Sequence, residues 1–146
     1  MNKRAHEEGR QTTSIAAVVD CVGSLATGSL AGNLYLYDTN KSGGSTGHGS
    51  EDLHTRVKVG DQLLWTAFGL ECETFLRIAE ISMDETVCVP ERHLYPGTDV
   101  SYWIATVKKN PIGELPYRLA FTVGARREPM FAPRSPVLFG TDQATA

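Results

Sequence analysis

The stretch ECETFLRIAEISM, Glu71 to Met83, decides the fold class. Cys72, Phe75, Leu76, Ala79 and Met83 follow a helical spacing, and the residues are good helix formers. Phe75, Ala79 and Ile81 set against Leu76, Ile78 and Glu80 instead describe a strand buried on both faces. As a helix it makes the chain a mixed α and β protein; as a strand it leaves nothing but short strands. Both readings stay open on these residues alone. What surrounds the stretch tilts it toward a strand.

Upstream, Ser14–Val22 is a short apolar run rich in β-branched residues and reads as a buried strand. Gly23–Gly32 is small and glycine-rich, a loop. Asn33–Thr39 alternates, with Leu34 and Leu36 on one face and Tyr35 and Tyr37 on the other. His54–Val59 alternates in the same way, with Thr55, Val57 and Val59 inward. Gly60-Asp61 is a turn signal, so Val59-Gly60-Asp61-Gln62 is expected to close a hairpin onto Gln62–Phe68, which carries Trp65.

Downstream, Thr86–Val89 is expected as a short strand stopped by Pro90, and Glu91–Thr98 as a loop. Asp99–Lys108 is a strong strand holding Tyr102 and Trp103. Asn110-Pro111-Ile112-Gly113 is a turn. Tyr117–Val123 alternates, and Val137–Phe139 is a last short strand. Seven to nine short strands with turn signals every 8–12 residues, and no internal repeat, point to an all-β fold, an antiparallel β-sandwich. The expected organisation is a polar N-terminal tail over 1–13, one sandwich domain over 14–140 and a C-terminal tail over 141–146.

Composition fits this. The chain has 146 residues, 41% hydrophobic and 21% charged, enough for a core in one domain. The formal net charge is −3. The basic pairs Lys3-Arg4, Lys108-Lys109 and Arg126-Arg127 are scattered surface rather than a nucleic-acid face. No segment approaches the roughly 20 apolar residues of a membrane helix. Glu7 and Glu8 separate the basic start from Ile15–Val19, and Asp20 ends that run, so a secretory signal is not expected. The expected location is the cytoplasm, with neither nucleic acid nor membrane as partner.

Chemistry is sparse. Asn40–Ser50, NKSGGSTGHGS, has glycines spaced as in a phosphate-binding loop at Gly44 and Gly49, but Ser50 stands where lysine is needed. It lies between strands, with no helix N-terminus behind it. It reads as a flexible connection. His6, His48, His54 and His93 show no metal-ligand spacing, although His48 and His54 could approach across the loop near Asp52. Cys21, Cys72 and Cys88 form no CxxC pair and read as reduced thiols. No nucleophile elbow and no identifiable carboxylate pair occurs. No metal, cofactor or catalytic residue is expected, and a small hydrolase is the weakest functional reading.

The aromatic residues offer more. Tyr102 and Trp103 are adjacent on a strand and must face opposite ways. An exposed strand aromatic can stack on a sugar or anchor a protein contact. Asp20, Tyr37, Trp65 and Trp103 are therefore the candidate ligand-binding residues, beside the plainer reading of ordinary core packing.

In order along the chain, Ile15-Ala16-Ala17-Val18-Val19-Asp20, Gly32-Asn33-Leu34-Tyr35-Leu36-Tyr37 and Gly47-His48-Gly49-Ser50-Glu51-Asp52-Leu53 are followed by Val57-Lys58-Val59-Gly60-Asp61-Gln62-Leu63-Leu64-Trp65. Ser101-Tyr102-Trp103 and Tyr117-Arg118-Leu119-Ala120-Phe121 come later. This order resembles the PixA/AidA family of bacterial inclusion-body proteins, across about residues 14–140. Cys21 after Asp20, and the sparse late aromatics Phe131 and Phe139, depart from its pattern. The resemblance implies a cytoplasmic β-sandwich without catalysis that self-associates into dense bodies, and makes the glycine-serine stretch a variable loop. The chain is thus expected to be a homo-oligomer or a larger assembly. The alternative is a binding module for a carbohydrate or a small apolar ligand.

Overall fold

The computed structural model describes residues 11–71 and 73–140. Eleven strands form among them: β1 (Thr12–Val19), β2 (Leu34–Asp38), β3 (His54–Arg56), β4 (Gln62–Gly69), β5 (Leu76–Ser82), β6 (Glu91–Leu94), β7 (Ser101–Thr106), β8 (Glu114–Pro116), β9 (Arg118–Val123), β10 (Met130–Phe131) and β11 (Val137–Phe139). One short helix, α1 (Cys21–Thr27), follows β1. The five-stranded sheet runs β2-β1-β4-β7-β6, and two three-stranded sheets run β10-β9-β5 and β3-β11-β8. The fold is the expected all-β sandwich. The deciding stretch is a strand, β5, paired antiparallel with β9.

Period-2 alternation sorts the inner face. Ile15, Ala17 and Val19 of β1, Leu34 and Leu36 of β2, and Leu63 and Trp65 of β4 are buried between the sheets. Ile78, Leu119, Phe121 and Val123 meet them from the β5–β9 side. Trp65 is 0% exposed. It stands edge-on to Tyr117 at 5.8 Å between ring centroids, and its indole N–H donates to the Tyr117 hydroxyl at 3.2 Å. The indole thus keeps a partner in a dry core, which an unpaired donor there would not have.

The structure corrects several local expectations. The residues from Cys21 to Thr27, expected to end a strand and enter a loop, form α1. Asp20 caps it, accepting from the Gly23 N–H at 2.8 Å, and Gly28 ends it in the left-handed region at φ 74°. The Val59–Gln62 turn does not close a hairpin. β3 pairs with β11, and β4 with β1 and β7. The turn is held instead by Asp61, whose carboxylate accepts the Lys58 N–H at 3.0 Å and whose carbonyl accepts the Val107 N–H at 2.8 Å. These bonds send the chain from one sheet into another.

Thr86–Val89 is a turn, with the Val87 N–H bonded to the Asp84 carbonyl and Val87 and Cys88 buried. The strand lies instead at Glu91–Leu94, within the Glu91–Thr98 stretch expected as a loop, and all four of its residues are exposed. The ladders β1 with β4 and β3 with β11 are parallel, since each pair is joined by a long excursion rather than a tight turn. β1 begins at Thr12, inside the expected tail. Residues 1–10 of that tail and residues 141–146 lie outside the described residues.

Candidate functional site

The four candidate aromatic and acidic residues do not converge. Trp65 and Trp103 are cross-strand neighbours on the inner face of β4 and β7. Trp65 is core, so the expected exposure there is corrected. Trp103 is half-buried, and its indole N–H donates at 3.1 Å to the Ile78 carbonyl on β5, closing one backbone acceptor between the sheets. Asp20 is taken up by the α1 cap. Tyr37 is 45% exposed, on the opposite face of the five-stranded sheet.

That opposite face is the feature the structure adds. Strand register lines up Tyr37, Ala16 and Thr66 in one row and Tyr35, Val18 and Phe68 in the next. A third row joins Ser14, Leu64 and Ile104. Phe68 is 54% exposed. From β2 across β1 and β4 to β7, no outward residue carries a charge; the first are Glu91 and His93 on β6. The outer side of β5 and β9 is the reverse, with Arg77, Glu80 and the Arg118 guanidinium over the Phe131 ring at 4.5 Å. One face of the sandwich is charged, and the other is uncharged from β2 to β7, where Tyr35, Tyr37, Val18, Leu64, Phe68 and Ile104 mix with Ser14, Gln62, Thr66 and Thr106.

The rim of β6 holds a second aromatic group. His93 stacks on Tyr102 at 5.7 Å, and Tyr95 lies 4.6 Å from Tyr102. His93 also approaches Glu91 at 3.6 Å.

The glycine-rich loop is more ordered than its composition suggests. The Asp38 carboxylate is buried at the inner end of β2. Its Oδ1 lies 2.9 Å from His48 Nε2 and accepts the Asn40 N–H at 2.9 Å, and its Oδ2 accepts the Thr55 hydroxyl at 2.7 Å. The Gly49 N–H donates to the Leu36 carbonyl at 2.7 Å, and the Leu36 N–H to Ser50 at 3.1 Å. Gly47 sits at φ 82° against the Asp52 carbonyl, where a Cβ would collide. The loop thereby occupies the open edge of β2. No phosphate cradle results, because the Gly49 N–H bonds to β2 and those of Gly43, Gly44, Ser45 and Ser50 bond to carbonyls of the loop itself.

His48 and His54, which could have approached each other, take separate partners instead. His54 Nδ1 donates to the Asp52 carbonyl at 2.8 Å, and its Nε2 faces Glu114 at 3.4 Å. The Asp52 carboxylate pairs with Arg134 at 3.0 Å. His6 lies outside the described residues. Among the described residues no group of three or more His, Cys, Asp or Glu is placed to hold a metal ion.

Cys21 and Cys88 are free and buried. Burial pushes the Cys88 thiol up to about 11, and burial followed by the nearby Glu71 charge raises that of Cys21. Neither is an activated nucleophile. Cys72 lies outside the described residues. The N-terminus of α1 offers no anion site, since Glu71 Oε1 already accepts the Cys21 N–H at 2.9 Å.

Sequence reading missed Asp38. The same alternation that placed Leu34 and Leu36 inward puts Asp38 on the inner face, and a buried carboxylate demands partners. Those partners lie ten and seventeen residues away, so only the fold reveals them.

Among the described residues no helix is long and apolar enough to cross a membrane. No curated protein matches the chain. Among solved structures, the inclusion body protein PixA from Burkholderia cenocepacia superposes with a TM-score of 0.69 at 14% identity, over 90% of this chain and 96% of that one. The expected resemblance to inclusion-body proteins therefore holds for the fold. A cysteine protease inhibitor from Entamoeba histolytica aligns with a TM-score of 0.38 at 8% identity, over 62% of this chain and 88% of that one. Residues 11–128, which span the whole of the five-stranded sheet and its apolar outer face, match one family model, and the chain belongs to that family, the domain of unknown function DUF8788.

Proposed function

We propose that this chain is a non-enzymatic protein that self-associates, a cytoplasmic β-sandwich of the inclusion-body kind. The observation that carries the reading is the charge-free outer face of the five-stranded sheet, with Phe68 54% and Tyr37 45% exposed. The largest apolar patch on a protein surface is often a contact site. The solved relative with the same fold is named an inclusion body protein, which supports the same direction. The histidines and thiols among the described residues serve structure rather than chemistry, and this favours a non-catalytic role.

Light scattering behind a sizing column, over a hundredfold dilution of the full chain, tests it. A mass of several subunits that falls on dilution supports self-association. A monomer of the 15.9 kDa chain at every concentration refutes it.

A further inference from the structure

We propose that the gap between the sheets, at the end of the sandwich where β4 finishes and β5 and β7 begin, binds a free α-amino acid with an apolar side chain. This site does not depend on the self-association reading.

The gap follows from side-chain size. Trp65 and Trp103 are cross-strand partners that fill the space between the sheets, and the Trp103 indole closes on the Ile78 carbonyl of β5 at 3.1 Å. The next inward residues are Ala67 on β4 and Ser101 on β7, and the same register carried two residues further sets them side by side. Side chains this small cannot fill a space that two indoles fill one layer deeper. A cavity of about 240 Å³ results, walled by Leu76 from the β5 side. Phe75 and Val100 line it as well and are exposed, so they stand at its mouth.

Two charges name the occupant. Arg77 on β5 and Asp99 in the turn between β6 and β7 both line the cavity, and they form no ion pair with each other. Among the described residues neither side chain has a partner of its own. Their backbones are nonetheless fixed. The Phe75 carbonyl accepts the Gly124 N–H at 2.7 Å, and the Tyr95 N–H donates to the Val100 carbonyl at 2.9 Å across the turn that carries Asp99.

A cation and an anion are thus held apart on two anchored elements, with apolar walls between the sheets. A guanidinium takes a carboxylate through its planar fork, and a carboxylate takes an ammonium. Leu76, Phe75 and Val100 can cover an apolar side chain. A free amino acid carries all three groups on one carbon. A fatty acid would leave Asp99 unanswered, and a neutral sugar would leave both charges so. The cavity is smaller than the roughly 300–1,000 Å³ of clefts that take drug-sized ligands, which suits a molecule of this size.

Calorimetric titration of the full chain with leucine and with phenylalanine tests the site, and amide chemical shifts locate it. Binding should move the amides of Ala67, Leu76, Arg77 and Ser101. Arg77→Gln and Asp99→Asn change exposed side chains outside the core, and each should raise the dissociation constant at least about tenfold. Leucinamide and N-acetyl-leucine, which each lack one charge, should bind at least about tenfold more weakly than leucine. Ala67→Leu fills the cavity and should abolish binding; if that variant does not fold, the two charge variants decide alone. No heat and no shift change up to about 10 mM of either amino acid overturns the proposal. Binding that neither charge variant weakens overturns it too. Equal binding of leucine and N-acetyl-leucine would make this a plain carboxylate site and overturn the amino-acid reading.

Discussion

Asp38 Oδ1 lies 2.9 Å from His48 Nε2, and this one contact ties the glycine-rich loop to the inner end of β2. The carboxylate is buried and shared with Asn40 and Thr55. A buried charge needs such partners, because water no longer solvates it. The loop in turn satisfies the open edge of β2 through Leu36.

His48→Ala is therefore expected to lower stability by about 1–3 kcal/mol, the cost of leaving a buried acceptor short of a donor. The loss should be local as well as global. Native-state hydrogen exchange should show the Leu36 and Gly49 amides opening sooner in the variant. Unchanged protection at Leu36 would mean that the backbone bonds alone hold the loop.

Tyr117→Phe tests the core contact. The hydroxyl accepts from the Trp65 indole, and burial raises its pKa well above that of an ordinary phenol. Its removal should cost about 1–2 kcal/mol, since the indole N–H has no water to turn to. Trp65→Ala should cost more, about 3–5 kcal/mol, through the cavity it leaves. Urea unfolding of the three proteins orders the two effects; a neutral Tyr117→Phe refutes the first.

Asp61 gives a prediction in pH. It is 2% exposed, and desolvation, only partly offset by the Lys58 N–H, raises its pKa above that of an ordinary aspartate. The folded chain then holds this proton more tightly than the unfolded chain does. The stabilisation is present below the unfolded value and is lost as pH rises through the raised folded one. Asp61→Asn keeps an acceptor for the Lys58 N–H and does not ionise. Its stability relative to the wild type should improve between pH 3 and pH 7. Parallel stability curves for the two proteins would show that Asp61 is not perturbed.

Cys88 should stay unmodified by iodoacetamide at pH 8 in the folded chain, because burial both hides the thiol and holds it protonated near 11. Peptide mapping should find it alkylated only after denaturation. Rapid native labelling would mean that the Asp84–Cys88 turn opens readily.

Much of the fold was legible because strand parity is local. Leu34 and Leu36 inward, Tyr35 and Tyr37 outward, and Tyr117, Leu119, Phe121 and Val123 inward all follow from a period of two. α1 was missed although its caps, Asp20 and Gly28, are written in the sequence, because glycine and serine around them read as a loop. β6 was missed because an exposed edge strand has no apolar face to alternate. The hairpin at Gly60-Asp61 failed for a different reason. A turn fixes where the chain reverses, and it does not fix which strands then pair.

What the sequence determined by itself is the set of alternating strands β1, β2, β4, β7 and β9, with the two faces of each. These depend on neighbours within a few residues. Only the tertiary structure decided that Asp38 meets His48, that Trp65 is core while Trp103 closes β5, and that four outward strand faces join into one charge-free surface. Those outcomes depend on strand order and register, which are set by burying the whole inner face at once. No short stretch carries that information.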